Sequence, residues 1–125
     1  MLKKTTLRNQ KHFNAVYKKG KSKGSRLVVL LYKKNGLSYS RIGFLASKKV
    51  GNSVCRNRAR RLMKEAYRLL DRQTVPGYDI IFIARKNINE KKCNDVKKTI
   101  YGVMRAADLL KDRLTDTKSE KNEKN

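Results

Sequence analysis

The sequence predicts a small α+β or α/β sandwich, with helices laid against one sheet. Three observations predict it. Two short apolar runs, "LVVLLY" at 27–32 and "IIFIA" at 80–84, read as strands. Around them, segments at 9–19, 54–72 and 91–110 repeat apolar residues at helical spacing. The 125 residues are enough for one compact domain and too few for two ordinary ones.

The first helix is expected over residues 9–19. Phe13, Val16 and Tyr17 fall at i, i+3 and i+4, and Gly20 stands where a C-terminal cap belongs. "GKSKGS" reads as a flexible connector. "RLVVLLYKK" is a strand, "NGLSYS" the turn after it, and "RIGFLAS" a second strand with Ile42, Phe44 and Ala46 on one side. The pattern leaves room for a shorter extra strand before this pair, with no boundary marked. Gly51-Asn52-Ser53 is turn and N-cap chemistry. From 54 to 72, Cys55, Ala59, Leu62, Met63, Ala66, Leu69 and Leu70 form one apolar stripe at 100° per residue. Pro76-Gly77 breaks the chain, "YDIIFIAR" is a third strand, and a last helix over 91–110 turns Val96, Ile100, Val103, Met104 and Ala107 inward. Residues 1–110 are read as the domain, and 111–125 as a charged, disordered tail.

Charge narrows the function. Lys and Arg number 33 against 10 acids, a net charge of +23, and no acid precedes Glu65. Such self-repulsion destabilises a compact state unless a polyanion neutralises it. Nucleic acid fits best, because counterion release supplies affinity. An anionic membrane fits less well. No basic amphipathic anchor stands apart from the rest, and neither apolar run approaches the length of a span. The N-terminus "MLKKTTLRNQ" leads into no apolar core of a secretory signal, so a cytoplasmic protein is expected. Cys55, Cys93 and His12 have no metal-ligand spacing, and the thiols read as idle. The acids Glu65, Asp71, Asp79, Glu90, Asp95 and Asp108 are scattered, which speaks against a two-metal nuclease site in the protein.

The same helical wheel orders the charges of 54–72. With Arg56 at zero, Arg60 falls at 40°, Lys64 at 80°, Asn57 at 100°, Arg68 at 120° and Arg61 at 140°, with Arg58 at the boundary. Arg56, Arg60, Lys64 and Arg68 form a ladder with about 6 Å between rungs. Like charges at i, i+4 destabilise an isolated helix, so the ladder makes sense if phosphates bridge it. Arginine's planar fork suits such contacts. A merely solvated face would mix in acids. Ser47-Lys48-Lys49 leads into Gly51-Asn52 at the helix N-terminus, where backbone N–H groups favour anions. The Asn57 amide lies inside the strip, suited to RNA or an RNA-bound metal hydrate. Phe13 and Tyr17 are read by spacing either as core or, with Lys11 and Lys18 beside them, as stacking faces for single-stranded RNA. His12 has no catalytic partner in the pattern and reads as a surface or cleft-edge residue.

"RIGFLASKKVGNSVCRNRARRLMKEAYR" resembles the signature of the bacterial ribonuclease P protein family. The similarity runs over roughly residues 7 to 110, including "FNAVYKKG" and "DIIFIAR". The resemblance implies an αβββαβα sandwich of the ribosomal-protein-S5 domain 2 type, with a left-handed βαβ crossover. It implies an accessory subunit whose RNA partner, the ribonuclease P RNA, removes the 5′ leader of precursor tRNA with Mg²⁺ held by that RNA; no catalytic residue or intrinsic metal is expected in the protein. Matched to the family motif, Lys48, Lys49, Asn52, Arg56, Asn57, Arg58, Arg60 and Arg61 contact the catalytic RNA, with Gly51 in the same turn. Phe13, Tyr17, Leu31, Arg60 and Lys64 match the leader-binding cleft. At Leu31 the family often carries an aromatic, and here Tyr32 stands beside it. A ribosomal or chaperone protein would share the composition but not the signature, and a strand rather than a short turn precedes the basic helix, unlike a helix-turn-helix.

Overall fold

The computed structural model describes residues 7, 9–91 and 93–111. Helix α1 (Gln10–Lys19) is followed by β1 (Lys21–Gly24), β2 (Val28–Lys34), β3 (Arg41–Leu45), α2 (Ser53–Arg68), β4 (Tyr78–Ala84) and α3 (Cys93–Ala106). Short 3-10 turns lie at Asp71–Gln73 and Ile88–Glu90. The expected order of helices and strands is the observed one, and the extra strand is β1. Of the tail expected at 111–125, residues 112–125 lie outside the described residues.

The sheet runs β1-β2-β4-β3, with β4 antiparallel to β2 and parallel to β3. Strand alternation sends its side chains to two faces. Leu30, Ile80 and Phe82 belong to the face covered by α2 and α3, where Ala59, Met63, Ala66, Ile100 and Met104 complete a sealed core. Phe82 stacks on Phe44, and Tyr67 meets both rings. Ile81 lies on the other face with Leu7 and Val16, under α1. That cover is incomplete: Phe13, Leu31, Leu45 and Ile83 are only partly buried around it.

Three details depart from the sequence reading. "GKSKGS" is not a loop throughout, since Lys21–Gly24 pairs with Val29–Tyr32. All four β1 residues are exposed, so no apolar alternation marked them. The second helix ends at Arg68 rather than 72, and the α3 helix spans 93–106 rather than 91–110. Leu69 caps α2 and is 53% exposed, while Tyr67 takes the inner place. Tyr67 follows Met63 by four residues and precedes Leu70 by three, so it lies on the same stripe. Its hydroxyl donates to Thr74 Oγ1 at 2.8 Å, and Thr74 donates onward to the Leu70 carbonyl at 2.9 Å. Burial pushes the Tyr67 phenol far above its usual range.

One buried ion pair joins the strand starts. Arg41 meets Asp79 through two bonds of 2.8 Å, and Asn35 Nδ2 adds a third at 3.0 Å. Arg41 and Asp79 are register partners on β3 and β4, so the fork spans adjacent strands.

Candidate nucleic-acid interface

The turn before α2 is built mainly by its own backbone. Val50 N–H donates to Ser47 O at 3.0 Å and Gly51 N–H to Lys48 O at 3.1 Å. Gly51 has φ +141, and a Cβ there would come within 2.8 Å of Cys55 Cβ, so glycine is required. Lys48 and Lys49 are exposed on this turn. Asn52 is the N-cap of α2: its side chain accepts from Cys55 N–H at 3.0 Å.

The structure sorts the predicted ladder into fixed and free rungs. Arg56 is half-buried and donates to the Gly51 carbonyl at 3.0 Å, so it ties the helix to its own turn. Arg68 is paired with Glu65 at 2.8 Å. The hydrogen bond from Arg68, and then its charge, hold the Glu65 carboxyl below the usual range, and the same bond raises Arg68. Asn57 Oδ1 accepts a short bond from Arg60 Nη2. That oxygen is the one a metal hydrate would face, so in the free protein it is already engaged. Arg58, Arg61 and Lys64 are exposed on the outer surface of α2, and no ion pair of theirs occurs among the described residues. Ala59, Met63 and Ala66 behind them are fully buried, so the cations stand on a firmly seated helix.

A second group lies on the α1 face. Asn9 caps α1 by accepting from Lys11 N–H at 2.8 Å. Phe13 is half-buried with its ring edge over Gly43, where an added Cβ would come within 3.1 Å of Phe13 Cε1. Tyr17, one turn on, is 51% exposed. Leu31 is half-buried beside the Ile81 cluster that Phe13 also packs against. Phe13 is therefore both core and surface, and Tyr17 is a free ring. Lys11 and Lys18 are exposed beside them, and His12 is half-exposed.

The structure brings Phe13 and Leu31 together, with Tyr17 on the same helix as Phe13, but sets Arg60 and Lys64 on the helix that covers the opposite face. A strand touching both groups has to round an edge of the sheet, and β3 is the edge strand that α2 packs against. Sequence reasoning missed the division of labour within α2. The only signal for it was Glu65 at i−3 from Arg68. Cys55 and Cys93 are free and half-buried. Among the described residues, no group of three His, Cys, Asp or Glu side chains is placed to hold a metal ion.

Comparison with known proteins agrees with this architecture. The family model described as Ribonuclease P matches residues 1–108. The ribonuclease P protein component of Clostridium botulinum (strain Loch Maree / Type A3) is 43% identical over 109 residues, covering 86% of this chain and 98% of that protein. Its counterpart in Clostridioides difficile (strain 630) is 44% identical over 104 residues, covering 82% and 91%. Among solved structures, the Staphylococcus aureus RNase P protein matches with a TM-score of 0.77 at 28% identity, covering 86% of this chain and 99% of that one. The Thermotoga maritima RNase P protein matches at 0.72 and 30% identity, covering 80% and 96%. The fold, the cationic helix and these matches together establish that this chain belongs to the ribonuclease P protein family.

Proposed function

We propose that the chain acts as the RNA-binding subunit of ribonuclease P, the endoribonuclease of tRNA 5′ processing. In this reading the α2 surface docks on the catalytic RNA. Lys48, Lys49, Arg58 and Arg61 contact phosphates directly, while Asn52 and Arg56 hold the turn and Asn57 and Arg60 act as one bonded pair. The α1 face receives the 5′ leader of precursor tRNA, with Tyr17 and the exposed part of Phe13 as stacking surfaces, Leu31 as apolar floor, and Arg60 and Lys64 on phosphates that round the β3 edge. The carrying observation is the exposed, unpaired set Arg58, Arg61 and Lys64 on a helix whose other side is buried. Such a set draws affinity from counterion release.

Hydrolysis is assigned to the RNA. Among the described residues, Asp79 is bonded to Arg41 and Asn35, and Glu65 to Arg68, so neither is free to hold a metal ion. Mg²⁺ in this reading is held by RNA, and the protein lowers the amount required by supplying fixed cations of its own. Its RNA partners place its work in the cytoplasm. No helix among the described residues is long and apolar enough to cross a membrane.

The test is reconstitution. Purified protein is added to a bacterial ribonuclease P RNA, and leader removal from precursor tRNA is assayed at low Mg²⁺. Restored cleavage at the mature 5′ end, with none from RNA-free protein, is the expected result. Correct cleavage by the protein alone would overturn the assignment.

A further inference from the structure

A further cationic notch borders the α1 surface at the C-terminal end of that helix. It opens where α1 ends and where β1 and β4 begin beside the end of β2. Lys19, Gly20, Lys21, Tyr32, Lys33, Lys34 and Tyr78 line a cavity of about 180 Å³. Strand register explains its composition. Lys21 stands opposite Tyr32 on β1 and β2, and Lys34 stands opposite Tyr78 on β2 and β4. The two rings lie 6.3 Å apart and tilted by 53°. Both are half-buried and packed against the main core, so their positions are set by the fold.

The helix end is held equally firmly. A Cβ on Gly20 would come within 2.6 Å of the Val16 carbonyl oxygen and 2.7 Å of the Tyr32 carbonyl oxygen. The chain therefore presses α1 directly onto β2 and brings Lys19 and Lys21 beside the Tyr32 ring. Among the described residues, no carboxylate lines the notch. The nearest in register, Asp79 opposite Lys33, is bound by Arg41 and Asn35.

Edge protection is the simplest structural explanation for lysines at a sheet margin. It accounts for Lys21 on edge strand β1 and for Lys33 and Lys34, which run past the end of β1 and have only β4 beside them, but not for Lys19 on α1 or for the two tyrosine rings. Lys19, Lys21 and Lys34, with no acid among the described lining residues, favour an anion, and two fixed tyrosine rings favour a flat partner; the Lys33 ammonium is turned to the Lys34 carbonyl at 3.2 Å. The cavity is smaller than the range of about 300–1,000 Å³ common for small-molecule sites. It suits one unit of a longer strand better than a free ligand. Bases inside a duplex are stacked and cannot enter such a notch.

We infer that this notch binds one nucleotide of single-stranded RNA, with its base on Tyr32 or Tyr78 and its flanking phosphates on Lys21 and Lys34. The inference rests on the proposed reading only in taking RNA as the partner. It adds a contact on the β1–β2 side of the sheet, whereas α2 covers the β3–β4 side.

The experiment uses the full chain and a short single-stranded oligoribonucleotide carrying iodouridine. Photocrosslinks are mapped by mass spectrometry, and affinity is read by fluorescence anisotropy at matched salt. Crosslinks at Tyr32 or Tyr78 are expected. Lys21→Glu with Lys34→Glu should weaken binding about tenfold and flatten the salt dependence by about 1.4 in log–log slope, two phosphate contacts at the single-strand value. The equally charged control Lys86→Glu with Lys98→Glu should change affinity less than about twofold. Tyr78→Leu keeps an apolar side chain and should cost about fivefold or more for single strands and nothing for a duplex. If Tyr78→Leu unfolds, the exposed lysine pair still decides the matter. Crosslinks confined to Phe13, Tyr17 and α2, an equal loss in the control, or polyglutamate bound with the same dependence on Lys21 and Lys34 would each overturn the inference. The outcome is separable from the reconstitution assay, which needs neither the oligonucleotide nor these residues.

Discussion

The two faces of the sheet are finished differently. On the α2/α3 face, Leu30, Ile80 and Phe82 are fully enclosed, and charge appears only on the outer surface of the covering helix. On the α1 face a single short helix covers Ile81 and leaves Leu31, Leu45 and Ile83 half-exposed, with the Tyr17 ring free. Where that face is sealed a partner meets only charge, displayed on a rigid support; its margin at Tyr32 and Tyr78 is the exception. An incompletely sealed face offers flat apolar surface, which is what unpaired bases need. In the proposed reading, this contrast puts electrostatic docking on the α2 side of the molecule and leader stacking on the α1 side.

Stability measurements probe this contrast most strongly. Phe82→Ala, in the sealed core, should cost about 3–5 kcal/mol in denaturant unfolding. Leu31→Ala, on the open face, should cost clearly less, below about 2 kcal/mol. Equal losses would mean that the α1 face is as closed as the other. Arg41→Met should cost about 3 kcal/mol or more, because it strands the buried Asp79 carboxylate, which is 5% exposed. A near-neutral result would show that water reaches Asp79 freely.

Smaller effects sharpen the docking side. Arg58→Ala and Arg61→Ala should leave stability within about 0.5 kcal/mol and each reduce the salt slope of RNA-subunit binding by about one ion. Arg56→Ala should differ from them by lowering stability as well, through the lost bond to Gly51 O. The smallest effect is that of the Glu65–Arg68 pair. Glu65 has a lowered pKa when folded, so any stability it lends is present above the ordinary carboxylate value and fades as pH falls through the folded one. Both side chains are well exposed, so Arg68→Ala should leave the acid unfolding curve almost unchanged.

Much of this was legible from residue spacing. Ala59, Met63 and Ala66 lie inward as their helical phase requires, as do Val96, Ile100, Val103 and Met104. What escaped depends on partners distant in the chain. Nothing local marks "KSKG" as a strand, because its ladder comes from β2. Tyr67 is absent from the stripe read off the sequence, and the partner that lets its hydroxyl be buried, Thr74, lies seven residues on, beyond the helix. Leu69 was placed inward on the assumption that the helix continued, but it ended at Arg68 and the phase no longer applied. The Arg41–Asp79 fork joins residues 38 apart, beyond any periodic pattern. Within the candidate site, the type and location of the charges were readable, but not which arginines the protein spends on itself.

The most direct test of the division between surfaces is the ratio of affinities for leader-bearing and leaderless tRNA, measured with the reconstituted holoenzyme. Tyr17→Ala should lower that ratio by about 1–3 kcal/mol while leaving RNA-subunit affinity and thermal stability unchanged, since the Tyr17 ring is free. Arg58→Ala with Arg61→Ala should weaken RNA-subunit binding and leave the ratio unchanged. A ratio that is insensitive to Tyr17 but falls with the two arginines would contradict the account.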